Sequence, residues 1–211
     1  PNTLFQLFQA GAPCLAALVL LQVERGVLSL DETICSTWPG FSAGGKGALT
    51  VAQLLRHGLP GAKTVLMPKR ARLRQLLELP AMEAYVAAAS LDGAAAAAAA
   101  AVAAAAHDGA TGGGAAGARA PTGEFEGAPW GWVLSGLLRA ASGGSDVHAL
   151  LADLVCTPLE LGHELRLKVA PEEAAQVARH SIATLMQELQ VDMANLEGFA
   201  GNASPSDEPA V

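Results

Sequence analysis

The sequence predicts an α+β domain in which helices dominate and strands are few. Apolar residues recur at helical spacing in several separate stretches, and a capping-box sequence precedes one of them. Only one short segment shows the strict alternation of a half-buried strand. The residues able to form a core are concentrated in five stretches: 4–23, 49–59, 130–138, 147–161 and 182–196.

The first predicted helix runs from about residue 13 to residue 25. Pro13 suits a first helical turn, and Gly26 provides a stop. A turn-rich connection over 27–41 is expected to follow. Between the proline and the glycine, apolar residues recur at helical spacing: Leu15, Leu18, Val19 and Val23.

A second helix is predicted from the capping box Thr50-Val51-Ala52-Gln53, in which a threonine and a glutamine cap each other's backbone. It is expected to end at His57, before Gly58 and Pro60. Residues 67–91 are also predicted to be helical, with breaks at Pro68 and Pro80.

The composition changes abruptly after residue 91. Residues 94–106 are alanine apart from Val102, and residues 109–117 are glycine, alanine and one threonine. Polyalanine has little area to bury, and ordering a glycine tract costs backbone entropy. We therefore predict that 92–120 is a surface insertion without chemistry of its own. A phosphate-binding role for its glycines is excluded, because no Gly-Lys-Ser/Thr follows them.

Helices are predicted again beyond the insertion. One covers 131–139 and is closed by Ser142-Gly143-Gly144-Ser145, and another covers 146–155. Leu165, Leu167 and Val169 alternate with charged residues, which predicts the half-buried strand. Pro171-Glu172-Glu173 is expected to begin a long helix, and 198–211 forms a polar, acidic tail.

Charge and cysteine content exclude several classes of protein. The net charge of −7 argues against a nucleic-acid partner, and the short basic run over 69–74 is interpreted as a solvated helix face. The three cysteines form no metal spacing and are odd in number, which favours a reducing compartment. The apolar run 11–21 is too short to span a membrane, and no basic segment typical of a signal peptide precedes it. No metal and no cofactor is expected.

Three blocks carry a recurring set of packing and turn residues. The first, 4–59, contains Glu24-Arg25-Gly26, Trp38-Pro39-Gly40-Phe41 and Thr50-Val51-Ala52-Gln53. The second, 121–161, contains Trp130-Gly131-Trp132, and the third, 164–185, begins with Glu164-Leu165-Arg166-Leu167. In order and spacing the blocks resemble the serine β-lactamase-related hydrolases. The resemblance implies the helical lobe of a β-lactamase/transpeptidase-like fold, with an incomplete sheet, built from 1–91 and 121–197.

The resemblance also locates the catalytic positions. Family members carry Ser-x-x-Lys at the start of the first helix, where this chain reads Gln9-Ala10-Gly11-Ala12. A glutamine cannot form the acyl-enzyme and alanine cannot take a proton. The family's tyrosine corresponds to Phe125, which lacks the hydroxyl that would move a proton. Gln9, Ala12 and Phe125 thus imply a catalytically inactive member, which would bind a small molecule or peptide in a remnant pocket or act as a regulatory module.

Two other functions remain open on the sequence. If the alignment is shifted or an exon is missing, the chain is an active serine hydrolase of the esterase or β-lactamase type. Alternatively, it is a helical interaction domain or a gene-model fragment. The motif sequences are most similar to those of the lactamase-like domain that is fused to aarF/UbiB-type atypical kinases in plants and green algae. That resemblance implies a kinase domain as a covalent partner and a cytoplasmic or plastid location.

Several further side chains are interpreted as structural. Cys14 could be a repurposed nucleophile, but a buried small hydrophobe is the favoured interpretation. Lys46 is interpreted as a turn lysine without a partner. A base at His57 would need a nucleophile, and Ser42 is the only serine close to it in sequence. His180-Ser181 would point apart on a helix, and Glu172-Glu173 suit a first helical turn.

Overall fold

The structure is a computed structural model of the 211-residue chain. It describes residues 3–7, 11–56, 68, 76, 78–91, 128–162 and 164–178. The chain divides into two compact units. The terminal unit comprises residues 1–11 and 169–211, and the helical unit comprises residues 12–168.

The helical unit contains six α-helices among its described residues. A 3-10 helix, Pro39–Gly45, lies between the second and the third. A π-helical turn, Ala152–Cys156, continues the sixth. The helices are α1 (Ala12–Glu24), α2 (Ile34–Thr37), α3 (Val51–Leu55), α4 (Leu79–Ala88), α5 (Ala128–Ala141) and α6 (Val147–Leu151).

Helix α1 confirms the first predicted helix to within one residue at each end. Gly26 ends it in the left-handed conformation, with φ +71°. The backbone N–H of Gly26 donates to the carbonyl of Val23 over 2.9 Å, and that of Val27 donates to the carbonyl of Gln22 over 2.9 Å. These two bonds form a Schellman motif, in which glycine avoids the steric strain of a Cβ atom.

The capping box predicted at Thr50 is confirmed. The Thr50 hydroxyl accepts from the backbone N–H of Gln53 over 3.2 Å, and the Gln53 side chain accepts from the backbone N–H of Thr50 over 2.8 Å. Helix α3 ends at Leu55, and His57 lies outside the described residues. The indole of Trp130 caps this end by donating to the carbonyl of Leu54 over 2.8 Å.

The break predicted at Pro80 is confirmed, since residue 78 is not helical and α4 begins at Leu79. Pro80 stands in the first turn of α4, where its missing N–H needs no partner. The turn-rich connection over 27–41 also contains α2 and the start of the 3-10 helix, which were not predicted. These elements are only about one or two turns long, and such short helices leave little periodic signal.

Helix α5 is the centre of the core. It packs against α4, α1 and α2. Trp38 lies directly on its Gly136, where an added Cβ would lie 2.3 Å from a ring atom of the indole. The glycine therefore permits a close approach between an aromatic ring and the helix backbone. The apolar residues of α5 with no more than 4% of their area exposed include Trp130, Trp132, Val133, Leu134, Leu137 and Leu138.

The predicted strand and the predicted long helix near the end of the chain are both wrong where the structure describes them. Residues 164–170 form no strand, and Leu165 and Leu167 pack instead against the core as partly buried side chains. Without a neighbouring strand, alternation alone cannot form a ladder. Instead of a long helix, Pro171–Gln176 forms a 3-10 helix. The helix ends there, and Val177, the next residue, takes part in an isolated β-bridge. There Leu4 pairs with Val177 within the terminal unit.

Within the described ranges, none of the helices combines the length and the apolar character needed to cross a bilayer. The insertion predicted over 92–120 and the tail over 198–211 lie outside the described residues.

Candidate functional site

The start of α1 is the candidate site because the family resemblance predicts two of the catalytic positions, Gln9 and Ala12, there. Ala12 is the first residue of α1 and is partly buried. Gln9 and Phe125 lie outside the described residues. A helix N-terminus favours negative charge, so the backbone here suits an oxyanion. The Ala12 methyl group, however, can neither donate nor accept a proton.

Cys14 is the titratable group in the first turn of α1. Its thiol is free and partly exposed. The prediction that Cys14 is a buried hydrophobe is therefore confirmed only in part, since its side chain is partly buried. Pro13, its neighbour, is exposed, whereas Ala12 of the same turn packs against the core.

The other residues singled out from the sequence do not form a second site within the described residues. The Ser42 hydroxyl is exposed and donates to the carbonyl of Pro39 over 2.8 Å, which is a turn hydrogen bond. Glu172 is exposed at the start of the 3-10 helix, as a solvated carboxylate. His57, His180-Ser181 and the basic run over 69–74 lie outside the described residues.

A buried polar cluster joins α4 to α5, and the sequence analysis missed it. Glu83 is 2% exposed and accepts a hydrogen bond from the Ser135 hydroxyl over 2.6 Å. The guanidinium of Arg139, one turn further along α5, contacts the other carboxylate oxygen of Glu83. Ser135 is 1% exposed, so this serine cannot meet a substrate from solvent. The cluster therefore stabilises a helix pair rather than performing chemistry.

Lys46 is also buried, against expectation. Its ammonium donates to the carbonyl of Ala43 over 2.5 Å and to the carbonyl of Ala89, and lies 5.3 Å from the centre of the Phe41 ring. No carboxylate pairs with it among the described residues. Burial without a counter-charge lowers the pKa of Lys46 from 10.5 to about 8. Nothing in the sequence indicated that Lys46 would be buried, because its neighbours Gly45 and Gly47 are small and form no apolar pattern.

The free energy of unfolding is expected to rise with pH between about 8 and 10.5. The pKa of Lys46 is about 8 in the folded chain and 10.5 in the unfolded chain. Between these two pH values the unfolded chain therefore holds a proton on Lys46 that the folded chain has released. Stability then increases with pH, by ~1 to 3 kcal/mol across the interval. Below pH 8 both states are protonated and Lys46 contributes no slope.

Urea unfolding followed by circular dichroism at several pH values measures this slope. The comparison protein is Lys46→Met, which keeps the length of the side chain and cannot titrate. Subtracting its profile removes the titration of tyrosine, cysteine and the other lysines. Parallel profiles for the two proteins would show that Lys46 does not titrate in this interval.

A shallow surface depression lies at the C-terminal end of α5. It is open to solvent, has a volume of about 350 Å³, and is bordered by Trp38, Arg139 and Gly143. The indole of Trp38 is stacked on Phe41 with ring centres 5.1 Å apart. Gly131, near the other end of α5, approaches Leu15 of α1. The depression thus lies at the end of α5 away from the start of α1.

The described residues do not assemble a hydrolytic site or a metal site. The Ser135 hydroxyl is buried against a carboxylate that also contacts an arginine, and the Thr37 hydroxyl donates to the Glu32 carboxylate over 2.9 Å. Neither pair lies at the predicted catalytic positions. No group of three or more histidine, cysteine or carboxylate side chains is placed to hold a metal ion in this part of the chain. What the described residues offer is a helix terminus and an open depression.

Three comparisons place this geometry among known proteins. The family profile described as Beta-lactamase matches residues 1–207. The esterase/beta-lactamase LipL of Mycobacterium tuberculosis (strain ATCC 25618 / H37Rv) is 27% identical over 155 residues, which cover 72% of this chain. The chain spans 29% of the length of LipL.

Two solved structures share the fold. One is a novel penicillin-binding protein homologue from Caulobacter crescentus, with a TM-score of 0.61 and 23% identity over 86% of this chain and 41% of the homologue. The other is a family VIII carboxylesterase, with a TM-score of 0.62 and 20% identity over 85% of this chain and 42% of the esterase. At these identities the likeness concerns the fold.

Proposed function

The chain belongs to the Beta-lactamase family, and from this premise we propose that it is a member without acyl-transfer chemistry that acts as a binding or regulatory module. The observation that carries the proposal is Ala12, which stands as the first residue of α1. The family resemblance puts the lysine that takes the serine proton at this position. A methyl group there leaves no base to activate a nucleophile.

The position of the nucleophile supports the same proposal. Gln9 aligns with the family serine, and its amide nitrogen is too weak a nucleophile to open an ester or a lactam. A Phe125 ring in place of the tyrosine removes the third proton-transferring group. All three changes act on proton transfer or bond formation.

The ligand is proposed to be a small molecule or a peptide held where relatives hold their substrates. The relative LipL is named as an esterase and beta-lactamase, so its substrates contain an ester or a lactam carbonyl. A domain that keeps the backbone donors of a helix N-terminus retains affinity for a carbonyl or carboxylate group without reacting with it. Binding without turnover is the expected behaviour.

We expect no stoichiometric adduct when the folded chain is treated with a fluorophosphonate probe, and no hydrolysis of a chromogenic ester or of nitrocefin. Intact-protein mass spectrometry measures the adduct, and absorbance measures the hydrolysis. The same chain unfolded in guanidinium chloride, treated in parallel, reports labelling that does not depend on the fold. Circular dichroism confirms that the treated sample is folded.

An adduct on one residue of the folded chain, absent from the unfolded chain, would contradict the proposal and identify the nucleophile. Peptide mapping then separates two cases. Labelling at Cys14 would indicate a repurposed thiol, which Cys14→Ser should abolish. Labelling at a serine would indicate an active serine hydrolase and a shifted alignment.

The motif sequences are similar to those of the lactamase-like domain found in kinase fusions. From this similarity we also infer that the module is attached to an aarF/UbiB-type atypical kinase in the cytoplasm or a plastid. A regulatory role would then act on the attached kinase domain. Sequencing full-length transcripts tests the attachment directly. A transcript that encodes the lactamase-like domain with no kinase domain would contradict it.

A further inference from the structure

The segment Gly44-Gly45-Lys46-Gly47 is a loop with a single side chain. Gly44 and Gly45 have φ values of +65° and +84°, so the 3-10 helix ends here in a conformation that favours glycine. Three of the four residues therefore contribute no side chain to the core. Lys46 contributes the one that does, and it is buried. We call residues 44–47 the glycine loop.

Two hydrogen bonds join the glycine loop to the residues that follow α4. The Lys46 ammonium donates to the carbonyl of Ala89, and the backbone N–H of Leu91 donates to the carbonyl of Gly44 over 2.8 Å. We call this contact between the glycine loop and residues 89–91 the junction. A segment held by few bonds and few buried side chains opens locally at a lower free energy than the core around it. The junction has this character.

The Lys46 amine is enclosed by residues of this chain. Its side chain is 0% exposed, and its Nζ lies beside the carbonyls of Ala43 and Ala89 and 5.3 Å from the centre of the Phe41 ring. No carboxylate pairs with it among the described residues. Any further segment of the protein would contact the outside of this enclosure rather than the amine. The environment of the amine is therefore set by these residues.

We propose that Lys46 is a pH-dependent clamp on the junction, which opens locally while the core around α5 stays folded. Opening carries the amine from its enclosure into water. The closed junction holds the ammonium without a counter-charge, whereas water solvates it in the open form, so protonation favours opening. A neutral amine keeps two N–H donors, which is enough for the two carbonyls. The junction therefore tightens as the pH rises.

The size of the effect follows from the two environments of the amine. Burial lowers the pKa of Lys46 from 10.5 to about 8 in the closed junction, and the ordinary pKa applies once the amine is in water. The equilibrium constant for opening then falls about tenfold per pH unit between these two values. Between pH 7.5 and pH 9.5 it falls by about twentyfold.

Other titratable groups lie on the elements that pack against the 3-10 helix, namely α2 and α4. Helix α2 carries Cys35, and α4 carries Glu83 and Tyr85. The Cys35 thiol donates to the carbonyl of Gly47 over 3.0 Å, and Glu83 belongs to the buried polar cluster between α4 and α5. A variant that lacks only the amine of Lys46 retains all three groups, so it separates their titration from that of Lys46.

Hydrogen exchange at the backbone N–H of Leu91 measures the opening, because this N–H bonds to Gly44 across the junction. The chain is pulse-labelled from pH 7.5 to pH 9.5, and each exchange rate is divided into that of the unfolded chain at the same pH. We expect this protection factor to rise about twentyfold over the interval. The backbone N–H groups in the middle of α5 report global unfolding, which also exposes the amine and shares the rise.

Urea separates local opening from global unfolding. In low concentrations of urea the protection of α5 should fall, because global unfolding exposes much surface. The protection of Leu91 should stay constant in the same urea and be at least about tenfold lower than that of α5.

Two variants of Lys46 and one control assign the pH dependence. Lys46→Met cannot titrate, and Lys46→Arg stays charged throughout the interval, so both should give a protection factor at Leu91 that does not change with pH. Lys168→Met removes an exposed lysine and should retain the full rise. Circular dichroism establishes which variants are folded. If neither Lys46 variant folds, the comparison of Leu91 with α5 in the unaltered chain still decides.

Three results would overturn the proposal. The first is a protection factor at Leu91 that does not change with pH in the unaltered chain. The second is a rise that persists in Lys46→Met. The third is a protection of Leu91 that equals that of α5 at every pH and urea concentration, which would show that the junction opens only when the whole unit unfolds. None of these results depends on whether the chain hydrolyses esters.

Discussion

Replacing Gly44 by alanine is expected to lower the free energy of unfolding by ~3 kcal/mol or more. Gly44 has φ +65°, a conformation that L-residues adopt at a cost. Its surroundings add a larger effect. An added Cβ would lie 2.3 Å from the Cα of Ser90 and 2.7 Å from the carbonyl oxygen of Ala89. These are backbone atoms, so no rotation of a side chain can relieve the overlap.

The clash would separate two segments that hold the end of α4. The backbone N–H of Leu91 donates to the carbonyl of Gly44 over 2.8 Å, and the Lys46 ammonium donates to the carbonyl of Ala89. Both bonds bring the 3-10 helix against the residues that follow α4. Moving the backbone far enough to admit a methyl group breaks at least one of them.

Gly143→Ala is the control for Gly44→Ala. Gly143 has nearly the same backbone conformation, with φ +69°, but no atom would lie within 4 Å of an added Cβ. Its substitution should therefore cost only the conformational term, ~1 kcal/mol. Urea unfolding of both variants separates the two contributions. Equal losses of stability would show that the residues after α4 can move away from position 44 without cost.

The parts of the fold that the sequence predicts are those set by neighbours in the chain. The Schellman motif at Gly26 and the capping box at Thr50 each need only residues within one or two turns. Helices α1 and α3 are accordingly confirmed. The strand predicted at Leu165 depends on a partner strand, which alternation within one segment cannot reveal, and it is absent from the described residues.

The same distinction between features set by neighbouring residues and features set by distant contacts applies to the candidate site. Placing Ala12 at the start of a helix followed from Pro13 and the apolar periodicity, and the structure agrees. The roles of Gln9, Ala12 and Phe125 rest on a family alignment and remain predictions. The burial of Lys46 was missed because its partner carbonyl at Ala89 lies 43 residues away. Contacts over such separations leave no periodic trace in a single sequence.

Glu83→Ala is expected to destabilise the helical unit by ~2 to 4 kcal/mol. The substitution leaves the buried Ser135 hydroxyl without its acceptor, removes the partner of the Arg139 guanidinium, and opens a space between α4 and α5. The exposed control is Glu78→Ala, which removes a carboxylate just before α4 that makes no side-chain cap hydrogen bond to the helix. Its expected effect is ~0.5 kcal/mol or less.

A double-mutant cycle attributes this effect to its cause. If the unpaired hydroxyl dominates, Ser135→Ala in the Glu83→Ala background should recover part of the loss, with a coupling free energy of ~0.5 to 3 kcal/mol. Simple additivity of the two substitutions would instead place the loss in the vacated space and the freed arginine. The result also bears on function. Because Ser135 is 1% exposed, a strong coupling to Glu83 identifies its hydroxyl as a structural hydrogen-bond donor rather than a nucleophile.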